Sequence, residues 1–275
     1  MIRDITLGQY YPGYSVIHKL DSRLKIILTL CFMVAVFVAN DFVGYIVVFI
    51  YIASTIKISK VPVKYILRGL KPVFLILAFT FILNMLMTDG TIVVKFWIFK
   101  ITYEGIYRAL FMVFRIVFLI IGSSLLTFTT KPVKMTDGIE SLLKPFVRFG
   151  LPAHELAMMM TIALRFIPTL LEETDKIMKA QIARGADFET GSIFKRAKNL
   201  IPIFIPLLIS AFRMAGDLAM AMEARCYRGG EGRTKLHVLE LKKRDAGAVI
   251  VFIVFFAVVI LTRVLSIQTL LLGLI

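Results

Sequence analysis

Charge is scarce in this 275-residue chain: 19% of positions are Asp, Glu, Lys or Arg, 59% are hydrophobic, and the mean hydropathy is +0.84. That balance excludes an ordinary soluble domain, in which about a quarter of residues are charged, and makes the bilayer the solvent to reason with. Cysteine is nearly absent. Cys31 lies in an apolar run and Cys226 in a basic stretch far downstream, so neither a structural disulfide nor a Cys-pair metal site is expected. The three histidines, His18, His154 and His237, share no helix face at metal-ligating spacing. No Gly-x-x-x-x-Gly-Lys-Ser/Thr loop is present to cradle nucleotide phosphates, and no Gly-x-Ser-x-Gly elbow to present a nucleophile. These absences leave no catalytic residue, metal or cofactor to assign, and the expectation is a protein that is not itself an enzyme.

What is present is a series of apolar runs. A spanning helix needs about 20 mostly apolar residues, fewer where its flanks snorkel, and by that measure five runs read as spans: 24–39, 42–57, 72–88, 105–127 and 246–264. The polar stretch through Lys25 and the lack of a small-residue cleavage site argue against a signal peptide at the start. The first two runs are joined only by Asn40-Asp41, which predicts an antiparallel helix pair. Arg3, Lys19, Arg23 and Lys25 precede the first run, and Lys57, Lys60, Lys64, Arg68 and Lys71 follow the second. By the positive-inside rule those segments are cytoplasmic, which puts the N-terminus inside and, with five spans, the C-terminus outside. The turn signal Asp89-Gly90 and the β-branched, aromatic stretch to Glu104 predict a short outer hairpin or interfacial segment, with Trp97 and Tyr103 as interface anchors.

Residues 128–244 separate the membrane region 1–127 from a last span and C-terminus at 245–275. From Lys131 to Arg244 the chain is too charged to span and too apolar for a loop. Apolar residues recur there at helical spacing, as in Leu156, Met159, Met160, Ala163, Phe166, Ile167 and Leu170. Six prolines punctuate it, which predicts several long, partly kinked amphipathic helices lying along or beneath the membrane. The run Leu200–Phe212 is apolar all round but short, and is expected to be a buried or re-entrant helix. The expected fold class is therefore all-α: a polytopic membrane protein with about five spans and long amphipathic cytoplasmic helices.

One pattern occurs twice in that region. A helix carrying Arg165 ends in Ala183-Arg184-Gly185, and another carrying Arg213 ends in Glu223-Ala224-Arg225-Cys226, with Arg228 close behind. A helix C-terminus carries unpaired carbonyls and partial negative charge, so a cation there is favoured by about 0.3–1 kcal/mol. That alone accounts for either arginine. The small neighbours open a second reading: they leave the guanidinium projecting from a low-profile surface that another backbone can approach, and Arg suits a bidentate carboxylate contact. Within the spans, Arg108 and Arg115 lie on one face of the fourth and Asn84 lies in the third. Arg108 is placed to snorkel to the outer interface, while Arg115 is an intramembrane charge facing protein or water.

With these residues in view the chain resembles the transmembrane T component of energy-coupling-factor transporters for vitamins and metals. The likeness covers essentially the whole length. It rests on the segment Gly8–Lys25, on Arg165-Phe166-Ile167-Pro168 leading to Ala183-Arg184-Gly185, and on Glu223-Ala224-Arg225-Cys226-Tyr227-Arg228-Gly229. Ser22 stands where that family often has Pro, and Cys226 where the other copy has Gly. The resemblance implies a scaffold subunit of a prokaryotic cell membrane with no cofactor of its own. Two ABC-type ATPases, which bind the ATP, would dock on Arg184 and Arg225 with their neighbours Ala183, Gly185, Ala224 and Cys226, supported by Arg165, Arg213, Glu223 and Arg228. A small membrane S subunit would capture the vitamin or metal. The alternative is a self-contained transporter or channel lined by Arg108, Arg115 and Asn84. Nucleic acid is not expected as a partner, because Asp137, Glu140, Glu155, Glu172, Glu173 and other acids interleave with the basic residues as on any solvated face.

Overall fold

The computed structural model of the chain describes residues 10–96, 99–186, 188, 192–230 and 239–272. In chain order the helices are α1 (Ser22–Val38), α2 (Phe42–Ser59), α3 (Val63–Leu70), α4 (Phe74–Met87), α5 (Tyr103–Thr129), α6 (Pro132–Leu143), α7 (Ala153–Ala183), α8 (Ile193–Ala224) and α9 (Lys243–Leu272). An antiparallel pair, β1 (Ile92–Phe96) and β2 (Phe99–Thr102), stands before α5. Of the two expected forms, hairpin or interfacial segment, the hairpin is there, although Trp97 lies outside the described residues. The structure divides into two compact units, one drawn from Gln9–Gly138 and Leu239–Ile275 and the other from Ile139–Val238.

The five expected spans fall on α1, α2, α4, α5 and α9. Among the described residues six helical stretches are long and apolar enough to cross a membrane: α2, Val63–Met87, α5, α7, the part of α8 from Lys198 to Ala224, and Lys243–Leu265; the 17-residue α1 is not one of them, while α7 and α8 lie in the region expected to be too charged to span. The basic stretch before the third span is not a loop as read from the sequence. Val63–Leu70 is helical and runs through a 3-10 turn at Lys71–Val73 into α4, Pro72 sitting at the start of that turn, where its missing N–H costs least.

In lipid, helices gain little from burying apolar surface against one another, so close packing must hold them. In the first unit α1 and α2 are both packed by α5 and α9. Phe32, Tyr51 and Phe255 form a stack, with Tyr51 and Phe255 centroids 4.2 Å apart, and Tyr45 meets Phe111 at 4.9 Å. Gly122 lets α5 approach α1, because a Cβ there would overlap the Phe32 ring.

At the basic end a polar network holds the helix starts. Asp21 caps α1 by accepting the Arg23 N–H at 2.9 Å, and Arg23 in turn donates to the Leu239 carbonyl at 2.7 Å. Asp245 accepts the Asp21 N–H at 2.9 Å and the Lys242 N–H at 2.7 Å, tying α9 to α1. Lys25 is buried and its Nζ donates to the carbonyls of Thr129 and His18, at 2.9 and 3.3 Å, and to Thr130 Oγ1. Ser22 occupies the first helical position of α1, where proline is also favoured, so serine and proline suit the same site. His18 accepts from the Ser15 hydroxyl at 2.7 Å through Nδ1 and donates through Nε2 to the Tyr11 carbonyl at 3.1 Å, a tautomer set by the Tyr11 carbonyl. Burial lowers the pKa of this imidazole below the usual 6.5, with the Tyr11 hydrogen bond opposing and the nearby Lys25 charge assisting.

In the second unit α7 and α8 pack on each other. The run Leu200–Phe212 is neither a separate short helix nor buried. It lies inside the continuous 32-residue α8, and Phe204, Ile205 and Phe212 are exposed. Pro202 and Pro206 are four apart, so the Pro202 carbonyl would pair with an N–H that Pro206 lacks. Gln181 Nε2 of α7 donates to that carbonyl at 3.3 Å instead, which pairs the freed acceptor and holds the end of α7 beside Pro202.

Candidate functional site

The two Ala-Arg-small endings close in the same backbone geometry. At the end of α7 the Gly185 N–H donates to the Ile182 carbonyl at 2.9 Å and the Ala186 N–H to the Gln181 carbonyl at 3.0 Å. At the end of α8 the Cys226 N–H donates to Glu223 at 2.8 Å and the Tyr227 N–H to Met222 at 3.0 Å. Each is the paired pattern of a Schellman cap, with Arg184 and Arg225 in the equivalent C-cap position. Such a cap requires a left-handed residue next, and both copies have one: Gly185 at φ 88° and Cys226 at φ 55°. Glycine adopts that conformation freely, whereas a residue with a Cβ is strained there by about 1–2 kcal/mol. The small residue after each arginine is thus a backbone requirement as well as a low-profile surface, a point the sequence reading missed because cysteine hides the signal that glycine gives.

The caps do not come together. Gln181 lies beside Pro202 at one end of the pair, while the Gly230 backbone lies against the His154 ring at the other. The helices therefore run in opposite directions, and the two arginine caps stand at opposite ends of helices that are about 45 Å long at 1.5 Å per residue for 31 residues. Both arginines, and Ala183, Gly185, Ala224 and Cys226, are exposed. Arg228 and Glu223 share the α8 end with Arg225, whereas Arg165 and Arg213 sit within their helices, away from both caps. All four are exposed, and among the described residues none of them forms an ion pair. At the α8 end His154 Nδ1 meets Glu140 Oε1 at 3.2 Å, joining α6 to the first turn of α7. The sequence reading had singled out neither Gln181 nor this pair.

The intramembrane polar residues are engaged in packing. Arg115 donates from Nε to the Tyr45 hydroxyl at 3.1 Å and from Nη2 to Asn40 Oδ1 at 3.3 Å, and lies 5.5 Å from the Phe37 ring centre. It braces the turn between α1 and α2. Asn84 donates to the Thr80 carbonyl of its own helix at 2.8 Å. Among the described residues no three His, Cys, Asp or Glu side chains are grouped to hold a metal.

Fold and caps together define a multi-pass helical membrane protein whose distinctive polar features lie on two long helices rather than inside its spans. Residues 13–236 match the family described as CbiQ, cobalt transport protein. The chain is 57% identical over 249 residues to the energy-coupling factor transporter transmembrane protein EcfT of Thermosediminibacter oceani, covering 90% of this chain and 94% of that one. It is 56% identical over 266 residues to EcfT of Clostridium kluyveri, covering 96% and 98%, and 44% identical over 264 residues to EcfT of Bacillus subtilis, covering 96% and 100%. The chain belongs to this CbiQ/EcfT family of transmembrane components of energy-coupling factor transporters.

Proposed function

We propose that the chain is the coupling scaffold of an energy-coupling-factor importer in a prokaryotic cell membrane, its N-terminus cytoplasmic. Two ATPase subunits dock on it, one at the Arg184 cap and one at the Arg225 cap, and a small membrane S subunit brings the vitamin or metal. The observation that carries this reading is the pair of matched caps at opposite ends of α7 and α8. One cap would be an ordinary helix end; two, equal in backbone geometry and far apart, suit two copies of similar partners. Each arginine, held at a rigid cap with a left-handed residue behind it, offers a bidentate donor to a carboxylate of an incoming subunit. ATP-driven closure of the two ATPases would then draw the anchors together and tilt both helices, reorienting the S subunit that rests on them. The chain itself contributes docking and transmission, and ATP stays with its partners.

The spans give little support to a self-contained carrier. Such proteins place polar or broken-helix sites at mid-membrane, and Arg115 and Asn84 are already engaged with Tyr45, Asn40 and Thr80. The test is composition and activity: the tagged chain should bring down two nucleotide-binding subunits and a small membrane protein, and vesicles holding the chain alone should move no substrate. Transport by the chain alone would overturn the proposal.

A further inference from the structure

Four helices of the first unit, α1, α2, α5 and α9, line a slot that the coupling role does not use. Its volume is about 430 Å³, within the range of roughly 300–1,000 Å³ of pre-formed ligand sites. Tyr51 of α2, stacked on Phe255 of α9, lines the slot together with Phe32 of α1. From there toward the basic end, Ile58 of α2 and Val251 of α9 face the slot, with Leu28 of α1 and Leu126 of α5 as its floor. The lining is mostly apolar, and its cationic groups, Lys25 and Arg244, belong to the basic helix starts.

Those two cations differ. The Lys25 ammonium is spent on Thr129, Thr130 and His18. Arg244 is exposed, and among the described residues it has no carboxylate partner. Of the two acids nearest along the chain, Asp245 is committed to the N–H groups of Asp21 and Lys242, and the exposed Glu240 forms no ion pair with Arg244; Asp21 is paired with Arg23. Lys243 and Lys57 add exposed positive charge on the same two helices that form the rim. An apolar slot between two spanning helices, with an uncompensated guanidinium at its mouth, is complementary in charge and polarity to an acyl chain carrying an anionic head.

We propose that this slot holds one acyl chain of an anionic glycerophospholipid from the leaflet at the basic end, with its phosphate against Arg244. The lipid fills a gap between α2 and α9 that side chains leave open and binds the start of the last span to the bundle. A phosphate at an Arg fork accepts paired hydrogen bonds, while a zwitterionic head brings its own cation to the same place, so the site discriminates by net charge.

The full chain, purified in detergent with whatever subunits accompany it, is equilibrated with dioleoylphosphatidylglycerol or dioleoylphosphatidylcholine, and bound lipid is counted by intact-complex mass spectrometry. One phosphatidylglycerol per chain is expected to survive activation that strips phosphatidylcholine. Arg244→Gln should raise the phosphatidylglycerol needed for half-occupancy about fivefold, the factor that roughly 1 kcal/mol per basic side chain represents. Gly247 lines the slot, and a Cβ there meets nothing within 4 Å, so Gly247→Leu should fill the slot without disturbing the fold and abolish retention. Val251→Phe serves as a second filling variant. Retention of phosphatidylglycerol by the filled variants at the wild-type level would place the lipid elsewhere and overturn the proposal. Equal retention of the two lipids, unchanged by Arg244→Gln, would likewise overturn it.

Discussion

The cap geometry can be broken without touching either arginine, and Gly185 is the place to do it. Its φ of 88° lies where only glycine is unstrained, and a Cβ added there meets nothing within 4 Å. Substitution therefore acts on the backbone alone. Alanine should cost about 1–2 kcal/mol of the capped conformation, valine more because of its branched Cβ, and asparagine less because it tolerates the left-handed region. That energy opposes the two cap hydrogen bonds, Gly185 to Ile182 and Ala186 to Gln181. When they open, Arg184 loses its fixed direction while keeping its charge. If the capped form is what the ATPase recognises, affinity should fall by up to that free energy, at most about 5- to 30-fold for Gly185→Ala. Surface-immobilised chain titrated with purified ATPase pair measures this directly, and the order should be Gly, Asn, Ala, Val from tightest to weakest. If Gly185→Val bound like wild type while Arg184→Glu abolished binding at that end, charge alone would matter and the cap argument would be refuted.

Other consequences follow from the same contacts. Cys226→Gly relieves the strained cap of α8 and should stabilise that helix end by about 1 kcal/mol, seen as slower hydrogen exchange at Tyr227 with docking retained. Gln181→Leu removes the hydrogen bond that ties the end of α7 to Pro202 of α8 and should lower the unfolding temperature in detergent slightly, whereas a change of similar size at the exposed Met220 should not. Lys25→Met orphans acceptors at Thr129 and His18 and should cost about 3 kcal/mol in thermal unfolding. For His18 the folded state binds fewer protons than the unfolded one, so its contribution is intact above the unfolded pKa of about 6.5 and is lost as pH falls below that value. His18→Gln should flatten that part of the stability profile.

Most of the membrane framework was legible because lipid requires a run of apolar residues long enough to span, and each expected run coincides with a helix; α1 is shorter than that requirement, whereas α7 and the Lys198–Ala224 part of α8, read as too charged to span, meet it. The hairpin was legible for a different reason, its β-branched and aromatic content. What stayed hidden depends on partners far away in sequence or on backbone angles. Asp245 reaches back to the Asp21 N–H, a contact that no local pattern announces. The carbonyl that Pro206 leaves unpaired in α8 is met by Gln181, which belongs to a different helix. The equivalence of the two arginine endings was visible as spelling, but its cause was not, since Cys226 sits in a conformation that composition assigns to glycine. Arg115 read as an unplaced intramembrane charge until Tyr45 and Asn40 accounted for it.

The number of ATPase subunits held per chain tests the central claim most directly. Counted by intact-complex mass measurement, the wild-type chain should hold two, Arg184→Glu one, Arg225→Glu one, and the double variant none, with the membrane helices still inserted. Two ATPases retained by the double variant would contradict the assignment of the caps as the docking points.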